Sequence, residues 1–113
     1  MIKVRFYQKV DGSVHLTMKG HAGAGPAGED LVCAAATMLA YTVAQAVQFH
    51  DEQEMLTREP KIDIRDGDAV VIATPTKDGY AAVLHTFWVA QCGAHILACN
   101  YPGNVRIEQF LEV

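Results

Sequence analysis

Residues 2–19 read IKVRFYQKVDGSVHLTMK, and this stretch decides the fold. Its first half alternates apolar and polar residues with the period of two that is typical of a β-strand. Asp11-Gly12 is a strong signal for a hairpin turn, and the alternation resumes after it. The sequence therefore predicts an antiparallel hairpin with strands over 2–9 and 13–19.

Four glycines follow the hairpin in the run GHAGAGPAG, positions 20–28. This density of glycine excludes a helix or a stable strand and predicts a mobile or specially folded loop. A helix is predicted next, from Leu31 to about Phe49, because the acidic pair Glu29-Asp30 suits the positive end of a helix dipole. Helical spacing predicts the following buried face for it: Leu31, Ala35, Leu39 or Met38, Thr42, Ala46 and Phe49.

The rest of the chain shows the same succession of two strands followed by a helix, and then one more strand. Strands are predicted at 61–65, 69–74 and 105–110, the first two joined by a turn at Asp66-Gly67-Asp68. A second helix is predicted from about Tyr80 to Cys99. The order β-β-α-β-β-α-β predicts a single α+β domain over 1–113. We expect a two-layer sandwich in which two helices cover one face of a mostly antiparallel sheet.

Composition narrows the class of protein. A length of 113 residues with 50% hydrophobic residues suits one folded domain and excludes intrinsic disorder. The sequence shows no apolar run near ~18 residues and no apolar stretch after Met1, so we expect neither a membrane span nor a signal peptide. Three cysteines, an odd number in apolar surroundings, favour reduced thiols and a cytoplasmic location.

The net charge is −4, from 9 basic and 13 acidic residues. The basic residues are scattered along the sequence rather than clustered, so we expect no direct binding of nucleic acid. A mildly acidic protein attracts basic partners instead.

Two motifs point only weakly to a ligand. The glycines at 23, 25 and 28 match the phosphate-binding pattern GxGxxG, but the strand before them belongs to a hairpin rather than to a parallel βαβ unit. Cys92, His95 and Cys99 share one face of the second helix. The two cysteines are about 10.5 Å apart along the axis, at ~1.5 Å per residue, which is too far to surround one zinc ion. We expect no metal, no cofactor, and two cysteines buried like alanines.

A cysteine near the start of the first helix is the strongest chemical signal. Cys33 lies in the predicted first turn, where the helix dipole and free backbone N–H groups favour the nucleophilic thiolate. His21 is only one glycine-rich loop away and can act as its general base. The free N–H groups of the helix start would form an oxyanion hole. On the residues alone, a cysteine in an alanine-rich helix is still more often a core residue.

Two segments raise the weight of this hypothesis. Gly20-His21-Ala22-Gly23, followed by Asp30-Leu31-Val32-Cys33-Ala34-Ala35, resembles the ribosomal-processing cysteine proteases, the Prp family. The turn at 66–68, Tyr101-Pro102 and the segment Val105-Arg106-Ile107-Glu108 extend the resemblance along the chain.

The resemblance implies a small, dimeric, cytoplasmic endopeptidase with Cys33 as nucleophile and His21 as general base and proton donor. Its implied substrate is the N-terminal extension of large-subunit ribosomal protein twenty-seven in bacteria of the Firmicutes type, cut after an aromatic pair. Asp30 occupies a position of the family motif, where we expect it to cap the helix or orient His21. Thr37 stands where the family often has serine, so a hydroxyl is kept one turn after the cysteine.

Two other functions stay open. A non-catalytic module could dock a basic ribosomal protein or a phosphate ligand at the glycine loop. A thiol-transfer protein could use Cys33, although no C-x-x-C is present.

The glycine loop itself predicts a gate. Such a loop would be poorly ordered, or would hold His21 away from Cys33, until substrate orders it. The glycines that give this freedom are Gly20, Gly23, Gly25 and Gly28. The remaining histidines, His15, His50 and His85, are expected to face solvent.

Overall fold

The computed structural model describes residues 1–26 and 28–112, so Ala27 of the glycine-rich loop and Val113 lie outside the described residues. The elements are β1 (Ile2–Gln8), β2 (Val14–Lys19), α1 (Leu31–Glu52), β3 (Lys61–Arg65), β4 (Asp68–Ala73), α2 (Tyr80–Asn100) and β5 (Val105–Gln109). The predicted α+β class and element order are confirmed. The largest error in an element boundary is at the end of α1, which continues to Glu52.

The strands form one sheet in the order β3-β4-β2-β1-β5. The pairs β1–β2, β2–β4 and β3–β4 are antiparallel, and β1–β5 is parallel. The sheet is therefore mixed but mostly antiparallel, as the sequence predicts. The parallel pair forms because α2 carries the chain from β4 back across the sheet to its far edge.

One face of the sheet holds the core. Phe6, Leu16 and Val71 are fully buried in the middle of β1, β2 and β4, and the residues between them point to the other face. Both helices pack on this apolar side. The opposite face carries mostly charged side chains, and none of the described helices covers it.

The predicted buried face of α1 is wrong. Leu31 is 82% exposed and Phe49 is 54% exposed. The side chains that pack inward are Val32, Ala36, Ala40, Val43, Ala44 and Val47. The stretch 31–49 contains no charged residue, so its hydrophobic pattern does not distinguish one face from another. Only contact with the sheet selects the face of small residues, which lets the helix approach closely.

Both helices are long and apolar enough to cross a membrane by length and composition. This corrects the expectation that no apolar run comes near that length, because 31–49 and 80–100 contain no Asp, Glu, Lys or Arg. The length and composition of these helices are weak evidence for a membrane span, because the inner faces of both pack on the sheet. Core helices of soluble proteins often have the same length and composition.

Two of the histidines expected in solvent are not there. His15 is 4% exposed, stacks on the Tyr7 ring with centroids 4.6 Å apart, and has Nε2 2.8 Å from Oγ of Ser13. Burial lowers the pKa of His15. His50 is half-buried, with Nε2 2.7 Å from Oγ1 of Thr86 on α2. In both places a hydroxyl group satisfies one nitrogen of the imidazole ring.

Candidate active site

Cys33 lies in the first turn of α1, half-buried, and the residue that starts the helix fixes its place. Asp30 is the N-cap. Its Oδ1 accepts hydrogen bonds from the backbone N–H groups of Val32 and Cys33, each at 3.0 Å. These bonds set the helix start and with it the direction in which the Cys33 side chain leaves the backbone.

The same hydrogen bonds keep Asp30 ionised. The backbone N–H of Cys33 is the main cause that lowers the pKa of this carboxyl, with a further contribution from the N–H of Ala24. Asp30 thus supports Cys33 by fixing its position at the helix start.

The helix-start oxyanion hole predicted from the sequence is not free. The N–H groups of Val32 and Cys33 donate to the Asp30 side chain, and the N–H of Ala34 donates to the Asp30 carbonyl at 3.0 Å. Each N–H has a single hydrogen, which is already shared. A different donor faces the sulfur: the N–H of Ala22, 3.2 Å from Sγ of Cys33.

Two further hydrogen bonds hold the first half of the glycine loop. The N–H of Ala24 donates to Oδ2 of Asp30 at 3.0 Å, and the side-chain amide of Asn104 donates to the Ala22 carbonyl at 2.8 Å. Residues 22–24 are therefore tied to α1 and to the segment before β5. The predicted gate over Gly20 to Gly28 stays a prediction.

The turn between β3 and β4 supports the His21 ring. Nδ1 of His21 lies 3.8 Å from Oδ1 of Asp66, and the N–H of Gly20 donates to the Gly67 carbonyl at 2.9 Å. The ring lies so close to Gly67 that a Cβ there would be 2.7 Å from Nε2. Gly67 also has a φ of +72°, so this turn needs glycine both for its backbone and for the ring.

His21 and Cys33 open into the same groove. Its first part, a cleft of about 200 Å³, lies against the sheet, and its second part runs under the glycine loop. Five residues line both parts: His21, Cys33, Thr37, Tyr41 and Asp66. Between these described residues, His21 and Cys33 share no hydrogen bond, because the ring lies on the β3–β4 turn while the sulfur faces Ala22.

The walls of the groove are largely apolar. The cleft against the sheet has the apolar lining residues Ile2, Met18, Ala36, Ile64 and Ala69. Under the loop, Met38 and Tyr41 form the apolar wall. An extended peptide lying across Cys33 would have apolar surface for side chains on both sides of the sulfur. Thr37 is exposed and lines both parts of the groove.

The phosphate interpretation of the glycine loop loses support. The N-terminus of α1, which would hold the phosphate, already holds the ionised carboxylate of Asp30. The strand before the loop, β2, pairs antiparallel with β1 and β4 rather than belonging to a parallel βαβ unit.

The cysteines of α2 lie elsewhere. Cys92 and Cys99 are exposed, so the expectation that both are buried is wrong. The inward side of α2 is formed by Val83, Leu84, Phe87, Ala90, Gln91 and Ala94. Sγ of Cys99 is 3.5 Å from Nε2 of His95. Within 1–26 and 28–112, no three His, Cys, Asp or Glu side chains form a group that could hold a metal ion.

Sequence reasoning missed three parts of this site. Asp66 and Gly67 were identified as a hairpin turn and as part of the family resemblance, but not as residues that contact His21. Tyr41 lies two turns after Cys33 on the same side of α1, so helical spacing could have found it. The N–H of Ala22 carries no signal in the sequence.

The chain matches the profile of one protein family and several crystal structures. The family is described as "Cysteine protease Prp", and the match covers residues 1–106. The fold is similar to that of the essential ribosomal processing protease Prp from Staphylococcus aureus in complex with a covalently linked product peptide. That comparison has a TM-score of 0.68 at 24% identity and covers 97% of this chain and 100% of that one.

Two further structures are similar over nearly the whole chain. The Staphylococcus aureus protease in complex with a substrate peptide has a TM-score of 0.66 at 20% identity, covering 97% of this chain and 100% of that one. A crystal structure from Streptococcus mutans has a TM-score of 0.70 at 27% identity, covering 99% and 96%. No curated protein sequence gives a significant match.

Proposed function

Because the chain belongs to the cysteine protease Prp family and is a cysteine protease, we propose that Cys33 is its nucleophile and His21 its general base and proton donor. One observation carries this assignment: the Cys33 thiol and the His21 imidazole line the same groove. Cys92 and Cys99 lie on the outside of α2 and line neither part of this groove.

Peptide cleavage by this pair proceeds in two steps. The His21 imidazole takes the Cys33 thiol proton as the sulfur bonds to the carbonyl carbon, and it then gives that proton to the leaving amine. Water next attacks the thioester carbon and gives a proton to His21. The carboxylic acid leaves, and the proton on His21 returns to the Cys33 sulfur.

The negative charge on the carbonyl oxygen needs a donor close to the sulfur. We assign this role to the N–H of Ala22, which donates to Sγ of Cys33 at 3.2 Å before the attack and can pass to the carbonyl oxygen once the sulfur bonds to carbon. The bond from the Asn104 amide to the Ala22 carbonyl holds this N–H in place. A single such donor typically contributes a factor of ~10²–10³ in kcat.

Asp66 is a positioning residue in this proposal. Its carboxylate lies 3.8 Å from Nδ1 of His21, which favours the tautomer with hydrogen on Nδ1. Nε2 then carries the lone pair that accepts the thiol proton, once the ring turns from Gly67 towards Cys33. Asp66 is almost fully exposed, so we expect it to orient the ring with only a small electrostatic effect.

The proposed substrate is the N-terminal extension of large-subunit ribosomal protein twenty-seven, cleaved after an aromatic pair. Support comes from the apolar groove, in which Met38 and Tyr41 offer a wall for aromatic side chains. The similar Staphylococcus aureus protein is a ribosomal processing protease. A net charge of −4 favours encounter with a basic ribosomal protein. We also propose a cytoplasmic location, where the three free thiols would stay reduced.

A homodimer is part of the proposal, and the outer face of α2 supports it. This helix has no Asp, Glu, Lys or Arg over 80–100, and its residues Trp88, Val89 and Ile96 are exposed. Phe110 lies beside Ile96. An apolar face of this kind is typical of an oligomer interface. We expect Trp88→Glu to give a monomer in light scattering after size exclusion, whereas Val10→Glu, at a fully exposed apolar residue of the β1–β2 turn, should leave the dimer intact.

Intact-mass analysis of the extended ribosomal protein tests the proposed function. Wild-type enzyme and Cys92→Ala should both release the N-terminal extension, whereas Cys33→Ala and His21→Ala should leave the substrate mass unchanged. All four proteins should unfold at similar temperatures, because neither Cys33 nor His21 is fully buried. Turnover by Cys33→Ala at the wild-type rate would contradict the assignment.

A further inference from the structure

The sheet face opposite the helices gathers most of the positive charge of the chain. Six of the nine Lys and Arg residues lie there, although they are scattered in the sequence. The period of two along each strand turns every second residue to this side, away from the core. These six residues are Lys3, Arg5, Lys19, Lys61, Arg65 and Arg106.

The strand register places these side chains in rows. Lys3 is directly opposite Lys19 on one side and Arg106 on the other, so three cations are consecutive across β5, β1 and β2. Neighbouring strands are about 4.8 Å apart. Arg65 lies in the same row two strands further on, beyond Asp68. The row thus carries four cations and one carboxylate across the five strands of the sheet.

Acidic side chains neutralise only part of this charge. Lys19 pairs with Asp68 at 2.7 Å, Arg65 with Asp63 at 2.9 Å, and Arg106 with Glu108 at 3.1 Å. Among the described residues, the other three cations, Lys3, Arg5 and Lys61, have no acidic partner. Six positive and three negative charges give this face about +3, whereas the whole chain carries −4.

Against the expectation from the scattered sequence positions of the basic residues, we propose that this open sheet face binds the phosphate backbone of RNA. A polyanion is the partner that suits it, because like charges this close repel one another until an anion lies across them. The choice of RNA rests on the proposed function, since ribosomal proteins assemble on RNA. Arg65 and Asp68 border both this face and the cleft of the active site, so bound RNA would lie beside the groove.

The face would recognise phosphates rather than bases. Its aromatic ring, Tyr7, is already stacked on His15 and covered by the Arg5 guanidinium, 5.0 Å from the ring centroid. No open ring surface is left there for a base to stack on. We therefore expect binding with little dependence on sequence and a strong dependence on salt. Three to six phosphate contacts give a slope of log K against log salt of about −2 to −4 for a single strand.

Fluorescence anisotropy with a short single-stranded RNA of mixed sequence tests the proposal. The double variant Lys3→Gln/Lys61→Gln removes two unpaired cations of the face. The control, Lys9→Gln/Lys77→Gln, removes the same charge at exposed positions outside the strands. Loss of two phosphate contacts should weaken binding at least about tenfold at low salt and reduce the salt slope by about 1.4. The control should bind within about twofold of wild type.

Cleavage of a short peptide substrate by the same proteins separates this proposal from the proposed function. None of the four lysines lines the groove, so both double variants should cleave the peptide at the wild-type rate. Equal weakening of RNA binding in both double variants would overturn the proposal, because only net charge would then matter. It would also be overturned if wild type bound polyglutamate but not RNA, since the face would then dock an acidic protein. If the wild-type protein bound RNA but did not cleave the peptide, the proposed protease site would be refuted instead.

Discussion

Gly67→Ala should remove activity by displacing His21 while leaving the fold intact. The new Cβ would lie 2.7 Å from Nε2 and 3.0 Å from Cε1 of the imidazole. Ordinary contact begins near 3.4 Å, so the ring must shift by about 0.7 Å or rotate off the turn. A displacement of about 1 Å in a reacting group can cost ~10²-fold in rate. We expect kcat/KM for the peptide substrate to fall by between about tenfold and about a hundredfold, mainly through kcat.

The substitution also strains the backbone, so stability must be measured beside activity. An L-residue in the left-handed region costs about 1–2 kcal/mol, and Gly67 has a φ of +72°. Domains of this size are stable by ~5–15 kcal/mol, so the variant should stay folded. Urea denaturation gives the change in the free energy of unfolding, and initial rates of peptide cleavage give kcat and KM.

Gly12→Ala is the matched control. Gly12 lies in the β1–β2 turn with a φ of +87°, and nothing lies within 4 Å of the place of its Cβ. It should lose a similar amount of stability with kcat unchanged. If Gly67→Ala kept wild-type kcat, or if both variants lost kcat equally, the β3–β4 turn would not be the support of the catalytic ring.

Two further predictions concern Asp30 and His15. Asp30→Asn should keep both the helix cap and most of the activity, whereas Asp30→Ala should cost ~1 kcal/mol of stability and slow cleavage. If Asp30→Asn lost most of its activity at wild-type stability, the charge of Asp30 would be needed for catalysis. Burial lowers the pKa of His15 from 6.5, so the unfolded chain binds its proton at higher pH than the folded one. The free energy of unfolding should fall as pH drops below about 6.5, and His15→Gln should lessen that fall in urea denaturation; an unchanged pH dependence would refute the burial argument.

The strands of this fold were predictable because local signals agree. In β1 and β2 the alternation with a period of two and the turn at Asp11-Gly12 both indicate a hairpin, and β3 begins and ends where the sequence predicts. The parallel pairing of β5 was not predictable, since it depends on where α2 returns the chain to the sheet.

The face of α1 and the surroundings of His15 were not predictable for a different reason. A helix that is apolar all round has no preferred side until it meets the sheet, so Leu31 and Phe49 remain outside. His15 lies on the polar side of β2, and its burial depends on a neighbouring strand that supplies Tyr7. Both features arise from tertiary contacts rather than from local sequence.

Some parts of the candidate site were predictable from local sequence, and others depend on tertiary contacts. Cys33 and His21 follow from a helix start, a glycine loop and a family motif, all of which are local in sequence. The support for the His21 ring comes from Asp66 and Gly67, which only the strand order brings beside the glycine loop. The occupied N–H groups at the helix start became visible only with the position of the Asp30 carboxylate.

Alkylation of a protein with a single cysteine tests the role of Cys33 most directly. In Cys92→Ala/Cys99→Ala, Cys33 is the only thiol, so iodoacetamide can modify no other cysteine. Intact mass gives the modified fraction, and peptide cleavage is measured on the same samples. We predict that activity falls in proportion to the modified fraction and reaches zero when one acetamide group is bound per chain. Full activity in completely alkylated protein would contradict the assignment of Cys33 as the nucleophile.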